Sequence, residues 1–68
     1  MIVTVNGEQR QLAAGATVAT LVASLDVAPE ARGIAIALNG EVVRRGSWQH
    51  TELLDGARVE VVSAVQGG

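Results

Sequence analysis

Apolar side chains recur along the chain in two different periods, and the change of period divides it into elements. At the start, Met1, Val3 and Val5 alternate with Ile2 and Thr4, the period of two expected of a strand with one buried face. The same alternation returns where Ile34, Ile36 and Leu38 are interleaved with Ala35 and Ala37. Each run leads into Asn-Gly: Val5-Asn6-Gly7-Glu8 and Leu38-Asn39-Gly40-Glu41. Asn-Gly between β-prone residues predicts a tight hairpin, because the type I′ turn needs positive φ at both central positions. We therefore expect residues 2–5 to pair with 8–12, and residues 34–38 with 41–44. Little else matches between the two segments, so they read as two hairpins and not as a duplication.

Between the hairpins the period becomes helical. Val18, Leu21, Val22 and Leu25 stand at i, i+3, i+4 and i+7 and share one face. Thr17 is the expected N-cap. A full capping box would place Glu or Gln at position 20; Thr20 lacks the reach, so a weaker helix start is expected. Pro29 bars a helix much beyond Asp26, and residues 28–33 read as a loop. After Asp55-Gly56, residues 58–65 form the strand richest in valine. The first and last strands are expected side by side at the sheet centre. One helix on one face of a mixed sheet of about five strands, in the order β-β-α-β-β-β, is an α+β fold of the β-grasp, ubiquitin-like kind. Residues 1–64 form the domain, and 65–68 a flexible tail.

Period two also describes the face of the sheet away from the helix. With the larger residues turned inward, Thr4, Ala35, Ala37 and Val62 face outward, giving a flat face of small or apolar residues with few charges. Such a face suits protein contact. The competing reading is that alanines simply fit the sheet of a very small domain.

Composition sharpens this picture chiefly by exclusion. The chain has 68 residues, 49% hydrophobic and 18% charged, with a net charge of -2. That is one domain, too apolar for disorder, and small enough to bury only about 60% of its unfolded surface. With no cysteine and one histidine, no disulfide framework or zinc cluster is expected to support it. The five basic residues are all arginine and are scattered among seven acids, which excludes the concentrated basic face that nucleic-acid binding needs. No signal peptide or membrane span is read at the N-terminus, so a cytoplasmic protein with native ends is the expectation.

Few side chains suggest catalysis. His50 is expected at the surface of a polar loop, and Trp48, the single aromatic residue, at the edge of the core. Glu52 and Asp55 read as a solvated loop and not an acid/base pair, since so small a chain has little room for a cleft. Asn39-Gly40-Glu41 lacks the glycines and the following helix of a phosphate loop. No metal site and no bound cofactor are expected.

The remaining chemistry lies in the ending Ala64-Val65-Gln66-Gly67-Gly68. A frayed end accounts for flexibility but not for a stop directly after Gly-Gly. A chain-terminal α-carboxyl ordinarily titrates at about 3.3–3.7, so that of Gly68 is ionised at neutral pH. A carboxylate can attack the α-phosphate of ATP and become an acyl-adenylate. Inside another enzyme this requires a narrow tail, and glycine has no Cβ to obstruct close approach.

Several motifs together carry a family resemblance. The run Gly33-Ile34-Ala35-Ile36-Ala37-Leu38-Asn39-Gly40-Glu41-Val42-Val43 resembles the centre of the ThiS family of bacterial sulfur carriers in thiamine biosynthesis. Val5-Asn6-Gly7-Glu8, Thr17-Val18 with Leu21, Trp48, Leu54-Asp55-Gly56 and the Gly-Gly ending also fit, so the resemblance covers the whole chain. It implies that Gly68 is adenylated by an ATP-dependent enzyme related to ubiquitin-activating enzymes. Sulfur from a cysteine desulfurase persulfide then displaces AMP, and the resulting thiocarboxylate supplies thiazole synthase. By the same resemblance Gly67 permits entry to the partner, and Val65 and Gln66 lie in its channel. The outer face with Thr4, Ala35, Ala37 and Val62 is the expected docking surface. The carrier itself would be no enzyme.

Two positions depart from the family pattern. Ala57 stands in place of an acidic residue, which would weaken the turn or remove one partner contact, and Thr20 replaces a frequent glutamate. Three other readings stay open. The sulfur carrier of molybdopterin synthase has the same ending but tends to be longer and to contain phenylalanine, absent here. An isopeptide-forming modifier could build chains on itself only from the Met1 amine, since lysine is absent. A plain interaction domain with an inert tail would keep its function on deletion of Gly68, whereas a carrier would lose it.

Overall fold

The computed structural model describes residues 1–25 and 33–63. Strand β1 (Ile2–Val5) turns through Asn6-Gly7 into β2 (Glu8–Gln11), and helix α1 (Val18–Ser24) follows. Strand β3 (Ile34–Leu38) turns through Asn39-Gly40 into β4 (Glu41–Val43). A 3₁₀ helix (Arg45–His50) then leads to the last strand, β5 (Arg58–Ser63). The loop expected over residues 28–33, with Pro29, lies largely outside the described residues.

Both hairpins form at their Asn-Gly pairs. Asn6 and Gly7 have φ of 50° and 85°, Asn39 and Gly40 of 51° and 90°. These are the left-handed values a type I′ turn demands, and asparagine tolerates them better than other residues with a Cβ. The turns fix the register, setting Val5 opposite Glu8 and Leu38 opposite Glu41. The sheet order is β2-β1-β5-β3-β4. Strand β5 runs parallel to β1 and antiparallel to β3, so the last strand joins the two hairpins. This is the β-grasp arrangement expected from the sequence.

Register and alternation then build the core. Val3 and Val5 of β1, Ile36 of β3 and Val59 of β5 turn toward Val18 and Leu21 of α1, and all are buried. Leu53, Ala57 and Trp48 complete the cluster. Full burial of a valine, leucine or isoleucine side chain stabilises by about 1.5–3 kcal/mol, so this small set carries most of the fold.

Four details differ from the sequence reading. The capping box of α1 is closed despite the short arm of Thr20. Its Oγ1 accepts from the Thr17 N–H at 3.2 Å, while the Thr20 N–H donates to Thr17 Oγ1, also at 3.2 Å. The extended backbone of Thr17 (φ -108°, ψ 174°) brings its N–H over the first turn, and the two hydroxyls, 3.1 Å apart, hold each other in place. Residues 45–50, expected as a loop, form the 3₁₀ helix. Its backbone turn leaves Thr51 Oγ1 to donate to the Ser47 carbonyl at 2.7 Å. Asp55 is more than a solvated loop residue, since its Oδ1 accepts from the Ile2 N–H at 2.7 Å and secures the start of β1. The expected strand ends are also trimmed, with β2 stopping at Gln11 and β4 at Val43.

Candidate functional site

Strand β5 is the last described element before the C-terminal residues. It lies in the middle of the sheet with a neighbour on each side, and Ser63 is the last described residue. Val65, Gln66, Gly67 and Gly68, the residues expected to carry the chemistry, lie outside the described residues.

Two different kinds of contact hold β5. On the β3 side an antiparallel ladder runs from Leu38 opposite Val59 to Ile34 opposite Ser63. On the β1 side the parallel ladder sets Thr4 opposite Arg58 and Val5 opposite Val59, and the Asn6 N–H donates to the Val59 carbonyl at 2.9 Å. There β1 turns away into its hairpin. The side chain of Asn6 takes over, with Oδ1 accepting from the Val61 N–H at 2.8 Å and Nδ2 donating to the Val61 carbonyl at 3.1 Å. One carboxamide thus presents the acceptor and donor that a further peptide group of β1 would have offered. Sequence reading did not single out this role of Asn6. The bond spans 55 residues, and nothing local signals it.

The outer face follows from the register. Ala35 stands opposite Val62, and Ala37 lies between Glu60 of β5 and Val42 of β4. Val62 is 58% exposed and Val42 is 77% exposed. Ala35, Ala37 and Val62 therefore adjoin one another, and Val42 extends their patch toward the sheet edge. Val42 was legible, since a two-residue turn after Leu38 must set it opposite Ala37. Thr4 lies apart: it faces Arg58, so the outward side chains of β5, Arg58 and Glu60, stand between it and the alanines. Ile2, partly exposed, flanks Thr4 on β1.

The remaining candidates have structural surroundings. Trp48 is buried, with Nε1 donating to the Val43 carbonyl at 3.0 Å and the Arg45 guanidinium 4.9 Å from the ring centroid. It closes the core edge, as expected. His50 is exposed at the end of the 3₁₀ helix. Glu52 is exposed and bridges to Thr17 through the backbone.

Ala57 shows no loosened turn. Its N–H donates to the Leu54 carbonyl at 3.0 Å, with Gly56 at φ 85°. The Ala57 methyl is buried in the core cluster. Among the described residues no helix is long and apolar enough to cross a membrane, and no three His, Cys, Asp or Glu side chains gather as metal ligands.

Comparison with known proteins places this geometry. A crystal structure of a thiamine biosynthesis protein (ThiS) from Geobacter metallireducens superposes with a TM-score of 0.82 at 34% identity, with all of both chains covered. A solution NMR structure of a thiamine biosynthesis protein from the same organism gives 0.78 at 36% identity, covering all of this chain and 88% of the other. A thiazole synthase of Paramagnetospirillum magneticum (strain ATCC 700264 / AMB-1) is 34% identical over 68 residues, and this chain spans only 20% of that protein's length. The ThiS family model matches residues 3–68, from the first strand through the Gly-Gly ending, and the chain belongs to the ThiS family.

Proposed function

We propose that the protein is a sulfur carrier of thiamine biosynthesis, a protein co-substrate whose reacting atom is the C-terminal carboxyl carbon of Gly68. The observation that carries this reading is the thiazole synthase match. The whole of this chain aligns with one fifth of a longer polypeptide named for thiazole formation, so a segment of this kind occurs joined to the rest of that protein. A carrier that delivers sulfur to a thiazole synthase is the simplest partner for such a joining.

The chemistry follows from an ionised carboxylate. A Gly68 oxygen attacks the α-phosphate of ATP on an adenylating partner of the ubiquitin-activating type; a P–O bond forms and pyrophosphate leaves. The terminal sulfur of a desulfurase persulfide then attacks the acyl carbon and expels AMP. Reduction of the resulting acyl disulfide by a thiol leaves the thiocarboxylate, whose sulfur passes to thiazole synthase. ATP belongs to the adenylating partner, and the carrier holds no cofactor of its own. ATP and reducing thiols place these steps in the cytoplasm. Gly67 lets the backbone pass close to the nucleotide, and Val65 and Gln66 occupy the channel behind it. The outer face around Ala35, Ala37 and Val62, with Thr4 beyond β5, docks the partner while the tail is threaded.

The test is the intact mass of the protein after incubation with ATP, an adenylating enzyme and a sulfur source. The expected result is a gain equal to replacing one oxygen by sulfur, mapped to Gly68, followed by thiazole formation with the matching synthase. An unchanged mass with a demonstrably active adenylating enzyme overturns the reading in favour of an interaction domain with an inert tail.

A further inference from the structure

We propose that Asn6 is a positioning residue for the C-terminal reaction, because its carboxamide extends the parallel ladder and so sets the direction in which β5 releases the tail. The inference rests on the carrier reading above and adds a residue to it.

The geometry is specific to this end of the strand. Backbone pairing on the β1 side ends at the bond from the Asn6 N–H to the Val59 carbonyl. Without the Asn6 side chain, the Val61 N–H and C=O on that side would have no protein partner, and only the β3 ladder would hold the last residues of β5. The two bonds at 2.8 and 3.1 Å restore a second neighbour up to Val61, two residues before Ser63. A strand held on both sides keeps one twist and one exit direction, whereas a strand end held on one side frays. Five residues follow Ser63 in the sequence, so the direction of β5 at its end sets the point from which the chain to Gly68 starts. The second Asn-Gly turn provides an internal control. Asn39 Oδ1 accepts from the Arg58 N–H at 2.9 Å, the same kind of bond made to the opposite end of the same strand.

Asn6→Gly keeps a residue suited to positive φ, so the turn survives while the carboxamide is lost. Asn39→Gly does the same at the other hairpin. Amide exchange and adenylation kinetics, with ATP and a purified ubiquitin-activating-type enzyme, are read on the intact chain for both variants. In Asn6→Gly the protection of Val61 is expected to fall about tenfold, the scale of two net hydrogen bonds, and that of Val62 to fall with it. The KM for the chain rises several-fold with kcat retained, because a smaller fraction of molecules presents the tail correctly. Asn39→Gly lowers the unfolding midpoint comparably but leaves Val62 protection and KM unchanged.

Protection lost at Val61 alone, with Val62 unaffected, overturns the proposal, since β3 then suffices to direct the strand. An increased KM without loss of protection also overturns it and makes Asn6 a direct partner contact. An equal increase of KM in both variants overturns it in favour of general destabilisation. A wild-type chain that an active enzyme fails to adenylate removes the carrier reading and this role with it. The exchange data then still report whether Asn6 braces the strand end.

Discussion

The two faces of the sheet are made from the same strands and both carry aliphatic side chains, yet those side chains have opposite fates. Ile36 on the inner face is fully buried against Val18 and Leu21, while its neighbour Ala37 lies on the outer face beside Val42, which is 77% exposed. On β5, Val59 and Val61 turn inward and Val62 turns outward. A single helix is enough to cover one face of a sheet this small, and nothing in the chain's described residues covers the other. Hydrophobicity alone thus does not distinguish core from contact surface in this molecule; register does.

Substitutions on the two faces test that distinction, beginning with the strongest. Ile36→Ala is expected to lower stability by about 2–5 kcal/mol by denaturant titration, through lost burial and the cavity left behind. A domain of this size has only about 3–10 kcal/mol in total, so the variant sits near the limit of folding. The capping box and the Asp55 bond frame the inner face without packing in it. Thr17→Ala and Asp55→Ala should each cost about 1 kcal/mol in the same assay. On the outer face, Val42→Thr and Val62→Thr should change stability by less than about 0.5 kcal/mol despite altering large apolar residues. Under the proposed function the same two variants raise the KM for adenylation. Outer-face variants as damaging to stability as Ile36→Ala would refute the division between the faces.

The sequence makes most of the fold legible, and the reason is local. Asn-Gly demands a turn type, the turn fixes a register, and period two then assigns each strand residue to a face. Val18, Leu21, Val22 and Leu25 mark the helix in the same local way. The 3₁₀ helix of residues 45–50 escaped this reading because Trp48 is its only large apolar side chain, and one residue defines no period. Bonds between distant residues escaped it as well. Asp55 to Ile2 and Asn6 to Val61 join positions more than fifty residues apart, and only the completed topology brings them together.

Of the candidate site, Ala35, Ala37 and Val62 were legible as one patch. Their separation from Thr4 by Arg58 and Glu60 was not, because the sequence pattern contains no parallel register between β1 and β5.

That parallel pairing also governs the order in which the molecule can assemble. The β1–β2 and β3–β4 hairpins do not touch as a sheet; β5 alone unites them, pairing with one member of each. During synthesis both hairpins and the helix therefore leave the ribosome before the strand that joins them. Until β5 emerges, the inner edges of β1 and β3 have no partner, and neither hairpin is stable alone in water. The central pairing connects residues some fifty positions apart, the kind of long-range closure that slows folding. The joined sheet is thus completed late, with the strand that precedes the C-terminal residues.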